Sequence, residues 1–136
     1  MVIEMAIALP LLLTLLVSAM VVGRTANAVS AVEMAAYDGA RTASLARESD
    51  TARAEATASV HDSLQRQGYS CARPPRVVVT GVPEDPWSTP AGTPASVVVE
   101  VSCHVSYLDI SVPGMAAGRT VTRHFVSPID RYRARP

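Results

Sequence analysis

The sequence predicts an α+β chain: a long N-terminal transmembrane helix continuing outside the membrane, a second helix, and a small three-stranded antiparallel sheet. Three observations predict it. Residues 5–23 (MAIALPLLLTLLVSAMVVG) carry no charge, an Ala-rich stretch with helical spacing runs on to residue 68, and the hydrophobic period changes to two beyond Cys71. The expected organisation is 1–23 as the transmembrane N-terminal helix, 24–68 as an extracytoplasmic helical region and 69–136 as a small β head.

The apolar run is the first element. Nineteen helical residues rising 1.5 Å each span about 28 Å, close to the roughly 30 Å of a bilayer's hydrocarbon core. A soluble helix of such purity needs a large protein around it, and only residues 24–136 remain. A cleaved signal peptide competes, but signal peptides open on a basic region, whereas Met1, Val2, Ile3 and Glu4 contain no base. Orientation rests on two opposed signals. Arg24 after the run, read literally, puts the C-terminal part in the cytoplasm, while two cysteines, if paired, put it outside. A basic leader upstream of the chain reconciles them, and the C-terminal part is read as exported.

Helix continues past the membrane because neither Gly nor Pro interrupts Arg24–Tyr37. Small residues recur at Ala28, Val32, Ala36, Gly39, Ala43 and Ala46, forming a narrow face of low bulk. That face suits a neighbouring helix, as a subunit contact, or the chain's own head. The pattern breaks at 48–51, where Ser49 or Asp50 is the expected N-cap of a second helix. Ala52, Ala56, Val60 and Leu64 then repeat every four residues until Gly68, a suitable C′ residue. His61 lies beside this stripe and is read as solvated.

Period two defines the sheet. In 96–107 (SVVVEVSCHVSY), Val97, Val99, Val101, Cys103, Val105 and Tyr107 share one face. Arg76–Val82 and Arg119–Val126 complete a three-stranded meander. The first connection, 83–95, holds four prolines and Trp87, read as a hydrophobic plug on the head in preference to a contact tip. The second, 109–118, has Pro113-Gly114 suited to a type II turn, with Ile110, Val112 and Met115 expected against the helices or the membrane surface.

Cys71 precedes the first strand and Cys103 sits on the buried face of the second, so the expectation is a disulfide, Cys71–Cys103. A metal pair is disfavoured because there is no CxxC and His104 points to the opposite face. Closing such a loop removes unfolded-state entropy worth about 3–4 kcal/mol.

The charge is zero (12 basic against 12 acidic residues) and balanced locally, and only 4% of residues are aromatic. That argues against a nucleic-acid binder and against a conventional catalytic pocket. No nucleophile elbow, metalloprotease motif or phosphate loop is present in the sequence. The three histidines fall on separate elements, with His124 read as exposed, and the basic tail 131–136 reads as a solvated end. No catalytic, cofactor or metal residues, no cofactor, no nucleic acid and no small-molecule substrate are therefore expected.

A charged residue at the mouth of an N-terminal apolar helix, followed by a helix and a small sheet, is a pilin-like layout. The opening Glu4–Leu13 (EMAIALPLLL) resembles that of the TadE-like family, pilin-like proteins of the tight-adherence (Flp) pilus system, and Ala35–Arg41 (AAYDGAR) resembles its second segment. The ending Ser127–Arg133, the Arg-only cations and the cysteine pair look like actinobacterial members.

The resemblance implies a membrane-anchored structural subunit or assembly factor. Its partners would be the lipid bilayer, other pilin-like subunits and inner-membrane pilus or secretion machinery. It also implies a role for Glu4, since in pilin-like proteins the fifth mature residue is a Glu able to neutralise a neighbour's N-terminus. Glu4 is fourth here and no Gly precedes Met1, so either a leader and one residue lie upstream or the chain is not processed. Pro10 should kink or loosen the helix where subunits pack. The expected subunit-packing residues are Glu4, Pro10, Ala28, Val32, Ala36, Gly39 and Ala43. The alternative is a monomeric single-pass protein whose exported head binds an envelope partner without polymerising.

Overall fold

The computed structural model describes residues 2–108, 114 and 116–132. Two helices, α1 (Val2–Leu45) and α2 (Ser49–Arg66), precede three strands, β1 (Arg76–Val82), β2 (Ala95–Ser106) and β3 (Gly118–Ile129). The strands form one antiparallel sheet in the order β1-β2-β3. The fold is α+β, with α1 crossing the sheet over β2 and β3 and α2 lying against α1.

The turn between the helices is short, and its cap falls one residue earlier than expected. Glu48, with extended backbone, is the N-cap of α2, and it offers no side-chain capping bond. Ser49 and Asp50 are instead the first helical residues, where Asp50 favours the positive end of the helix dipole. At the other end Gly68 has φ +65°. This is the left-handed conformation a C′ glycine adopts without strain, and it lets Tyr69 N–H bond back to Leu64 C=O at 3.0 Å.

The core is built of small residues. Ala52, Ala56, Val60 and Leu64 of α2 are buried against Ala28, Val32, Ala36 and Ala43 of α1, and Val97, Val99, Val101 and Cys103 of β2 close the third side. Helical region and sheet thus share a single core, although sequence reasoning divides them at residue 68. They approach closely at Gly39, where a Cβ would lie 2.8 Å from Val60 Cγ2 and 3.3 Å from Val99 Cγ1. Polar links bind the helices alongside: Asp38 Oδ2 accepts from Ser63 Oγ at 2.7 Å and from Arg66 at 3.3 Å.

The period-two face of β2 is buried along its length, from Ala95 to Tyr107. β3 runs longer than expected, to Ile129, because Ile129 is buried opposite Ala95. Ser127, partly buried on the same face, donates to Ser44 of α1 at 3.1 Å. Phe125 meets Tyr37 of α1 edge-to-face at 4.8 Å between ring centroids. Cys71 and Cys103 are bonded, with Cα atoms 5.5 Å apart. Trp87 is buried, so the proline-rich connection is a plug, held by Gly92 N–H bonding to Arg131 C=O at 2.9 Å. Pro113, Ile110, Val112, Met115 and the last tail arginines lie outside the described residues.

Two substitutions test this core in the full chain in detergent, by chemical denaturation. Gly39→Ala overpacks a crowded site at about 1–3 kcal/mol, against up to about 1 kcal/mol of gained helix propensity. A net loss near 1 kcal/mol is expected, and a gain in stability would contradict the close approach. The double variant Cys71→Ser, Cys103→Ser should lose about 3–4 kcal/mol by loop-closure entropy, with no loss if the bond does not constrain the unfolded chain.

Candidate functional site: the exposed half of the long helix

At about 1.5 Å per residue, the 44 residues of α1 make a rod about 65 Å long. Its two halves meet different surroundings. From Ala28 onward, every third or fourth residue is buried in the head. Before that the helix stands clear: Met5, Ile7, Leu9, Leu11, Leu12, Leu13, Leu15, Leu16, Met20 and Val22 are each more than half exposed. The most apolar 18-residue stretch has mean hydropathy 2.6 and none of it is buried. Monomeric soluble proteins rarely expose so large a contiguous apolar surface, and this helix is long and apolar enough to cross a membrane.

The apolar half begins at Glu4, exposed in the first turn, where a carboxylate complements the helix dipole. Pro10 lies within the helix, exposed, and α1 runs unbroken from Val2 to Leu45 around it. The proline ring removes the N–H that Ala6 C=O would otherwise accept. In an apolar medium such a carbonyl is a weak point, satisfied only by a neighbour or local adjustment. Thr14 and Ser18 turn their hydroxyls inward, donating to Leu11 C=O and Thr14 C=O at 2.8 and 2.7 Å.

Residues 1–41 match the family model of TadE-like protein. From Val2 on the match lies on α1; it ends four residues before that helix does (Arg41 against Leu45) and leaves α2 and the sheet outside it. No curated protein and no solved structure matches the chain. The TadE-like segment therefore comprises both the exposed apolar half of α1 and the part that packs into the head. Asp38 and Gly39, which lie in its AAYDGAR stretch, are the residues that hold α2 by an ion pair and by close approach.

Of the two readings of the small-residue face, the structure realises packing on the chain's own head. Ala28, Val32, Ala36 and Ala43 are fully buried and Gly39 is buried with them. In the single chain these five positions are therefore covered, and a neighbouring helix reaches them only if α2 or the sheet moves away. Periodicity shows that a face of α1 is small; it does not show what covers it. Glu4 and Pro10 stay exposed on the other half.

One feature of the head's edge escaped sequence reasoning. Thr25, two residues past the apolar run, donates its hydroxyl proton to Val21 C=O at 2.9 Å. The 2.6 Å contact between Thr25 Oγ1 and Tyr107 Oη must then use the tyrosine's proton. This bond fastens the end of β2 to the helix where it leaves the apolar stretch. Tyr69 lies partly buried close by, and burial together with Tyr107 raises its pKa above the ordinary 10.0, with Arg24 opposing. Only the alternation that places Tyr107 on the buried face hinted at this cluster.

A tyrosine whose pKa is higher in the folded than in the unfolded chain contributes stability that is intact below about pH 10 and lost as pH climbs through the folded value. Spectrophotometric phenolate titration of the folded chain should show a late phase that belongs to Tyr69, above the usual phenol range. Tyr69→Phe should remove the late phase, and a single phase unchanged by that substitution would contradict the burial.

Proposed function

We propose that this protein is a membrane-anchored, pilin-like structural subunit or assembly factor of a tight-adherence type pilus or secretion system, a pseudopilin with its disulfide-stapled head outside the cytoplasm. The observation that carries the reading is the division of labour along α1. One continuous helix is bare and apolar over the half that fits a bilayer and is the spine of the head over the other, and the TadE-like match coincides with it. The disulfide supports an exported head, since such bonds persist in oxidising compartments.

In this reading the subunit contacts are made by the exposed half of α1, with lipid and with like helices. Glu4 borders the apolar run, where a carboxylate is costly without a partner, and a neighbouring subunit's amino terminus supplies one. Pro10 leaves a backbone acceptor and a flexible point where packed helices adjust.

Photo-crosslinkers at Leu12 and Met20, both exposed on the apolar half, test this in membranes of the native host. Crosslinked oligomers or adducts with inner-membrane machinery are expected, and Glu4→Gln should cut their yield several-fold. Strictly monomeric products at both positions would establish the single-pass, non-polymerising alternative.

A further inference from the structure

A cleft of about 540 Å³ opens where α1 enters the head, between its first turn beyond the apolar run, the α2–β1 connection and the end of β2. Arg24, Asn27, Tyr69, Ser70 and Ser106 line it with donor groups, and Leu108, 72% exposed, lies at its rim. Among the described residues that line it there is one cation and no acid. We propose that this cleft binds the phosphate of a phospholipid headgroup from the leaflet out of which the head emerges.

Position selects the ligand. With residues 5–23 in the hydrocarbon, Arg24 is the first residue beyond it and lies at the level of the lipid phosphates, since each helical residue advances only about 1.5 Å. A guanidinium carries five donors in a planar fork suited to phosphate oxygens, so it can serve a phosphate alongside a protein partner. The hydroxyls and amide around it supply neutral donors, which tolerate a phosphodiester without demanding a second charge. The Tyr107–Thr25 bond at 2.6 Å holds the end of β2 against α1 and so fixes the cleft's walls. An exposed leucine at the rim is placed to meet acyl chain rather than water. Tyrosine and arginine at this depth are common interfacial anchors; here they also frame a cavity.

The inference rests on the membrane reading of α1, and the test separates the two. The full chain is purified in mild detergent and observed by native mass spectrometry with phosphatidylglycerol, with diacylglycerol of the same chains, or with inorganic phosphate. Retention of one phosphatidylglycerol is expected, with diacylglycerol and inorganic phosphate each held at least tenfold more weakly. Arg24→Gln should weaken retention about tenfold, a charge-assisted contact being lost, and Arg24→Lys should restore part of it. Ser70→Asp, at an exposed position, should weaken it similarly while leaving the fold intact by circular dichroism, so a misfolded Arg24 variant does not decide the matter.

Equal retention of diacylglycerol, equal binding of inorganic phosphate, or undiminished lipid in Ser70→Asp overturns the cleft. Alkaline extraction of membranes is run alongside. Loss of the lipid adduct while the chain stays embedded counts against the cleft alone, whereas release of the wild-type chain overturns the membrane reading itself.

Discussion

The head depends on how closely α1 can approach its neighbours. Its fully buried face is almost entirely alanine, with Gly39 at a close approach and Val32 as its one branched residue. With so little side chain between the backbones, α2 and β2 both pack directly on the helix, and the core between them fills with Val60, Val97, Val99 and Val101, while the buried aromatics Trp87 and Tyr107 come from outside the helices. A core of this kind buries little area per residue, so it gains less hydrophobic stabilisation than a leucine- and phenylalanine-rich one of equal length. The disulfide, the Asp38–Ser63–Arg66 group and the Tyr37–Phe125 pair are cross-links that such a thin core requires.

Much of this was legible in the residues. The uncharged run 5–23 marks itself as a candidate membrane span by length and composition alone. Strict alternation through β2 identified the buried face residue by residue, including Cys103, and the four-residue repeat in α2 named all four of its buried apolar positions. These features are local: period, charge and length determine them. The stripe 28–46 was legible as a small face but ambiguous in destination, because an alanine facing a foreign helix and one facing its own sheet look identical in one dimension.

What stayed hidden depends on tertiary proximity. Thr25 and Tyr107 lie 82 residues apart, and nothing in either neighbourhood marks them as partners. The cap of α2 falls on Glu48, whose C=O accepts from Ala52 N–H at 2.9 Å, one residue ahead of the serine that the cap preference favours. β3 extends to Ile129 through a tertiary contact. A buried isoleucine opposite Ala95 outweighs the proline at 128, which falls on an edge strand where a missing N–H is tolerated.

Because α1 belongs at once to the bare segment and to the head's core, with the Tyr107–Thr25 bond closing the corner between them, no flexible joint separates anchor from cargo. In the proposed membrane reading the protein is a lever with its fulcrum at the bilayer surface. The stretch from Arg24 to Leu45 is about 32 Å long at 1.5 Å per residue, so a tilt of about 10° in the anchor swings the far end of the head by roughly 5–6 Å. In that reading a force that reorients the anchor reaches the head as displacement rather than being dissipated in a linker.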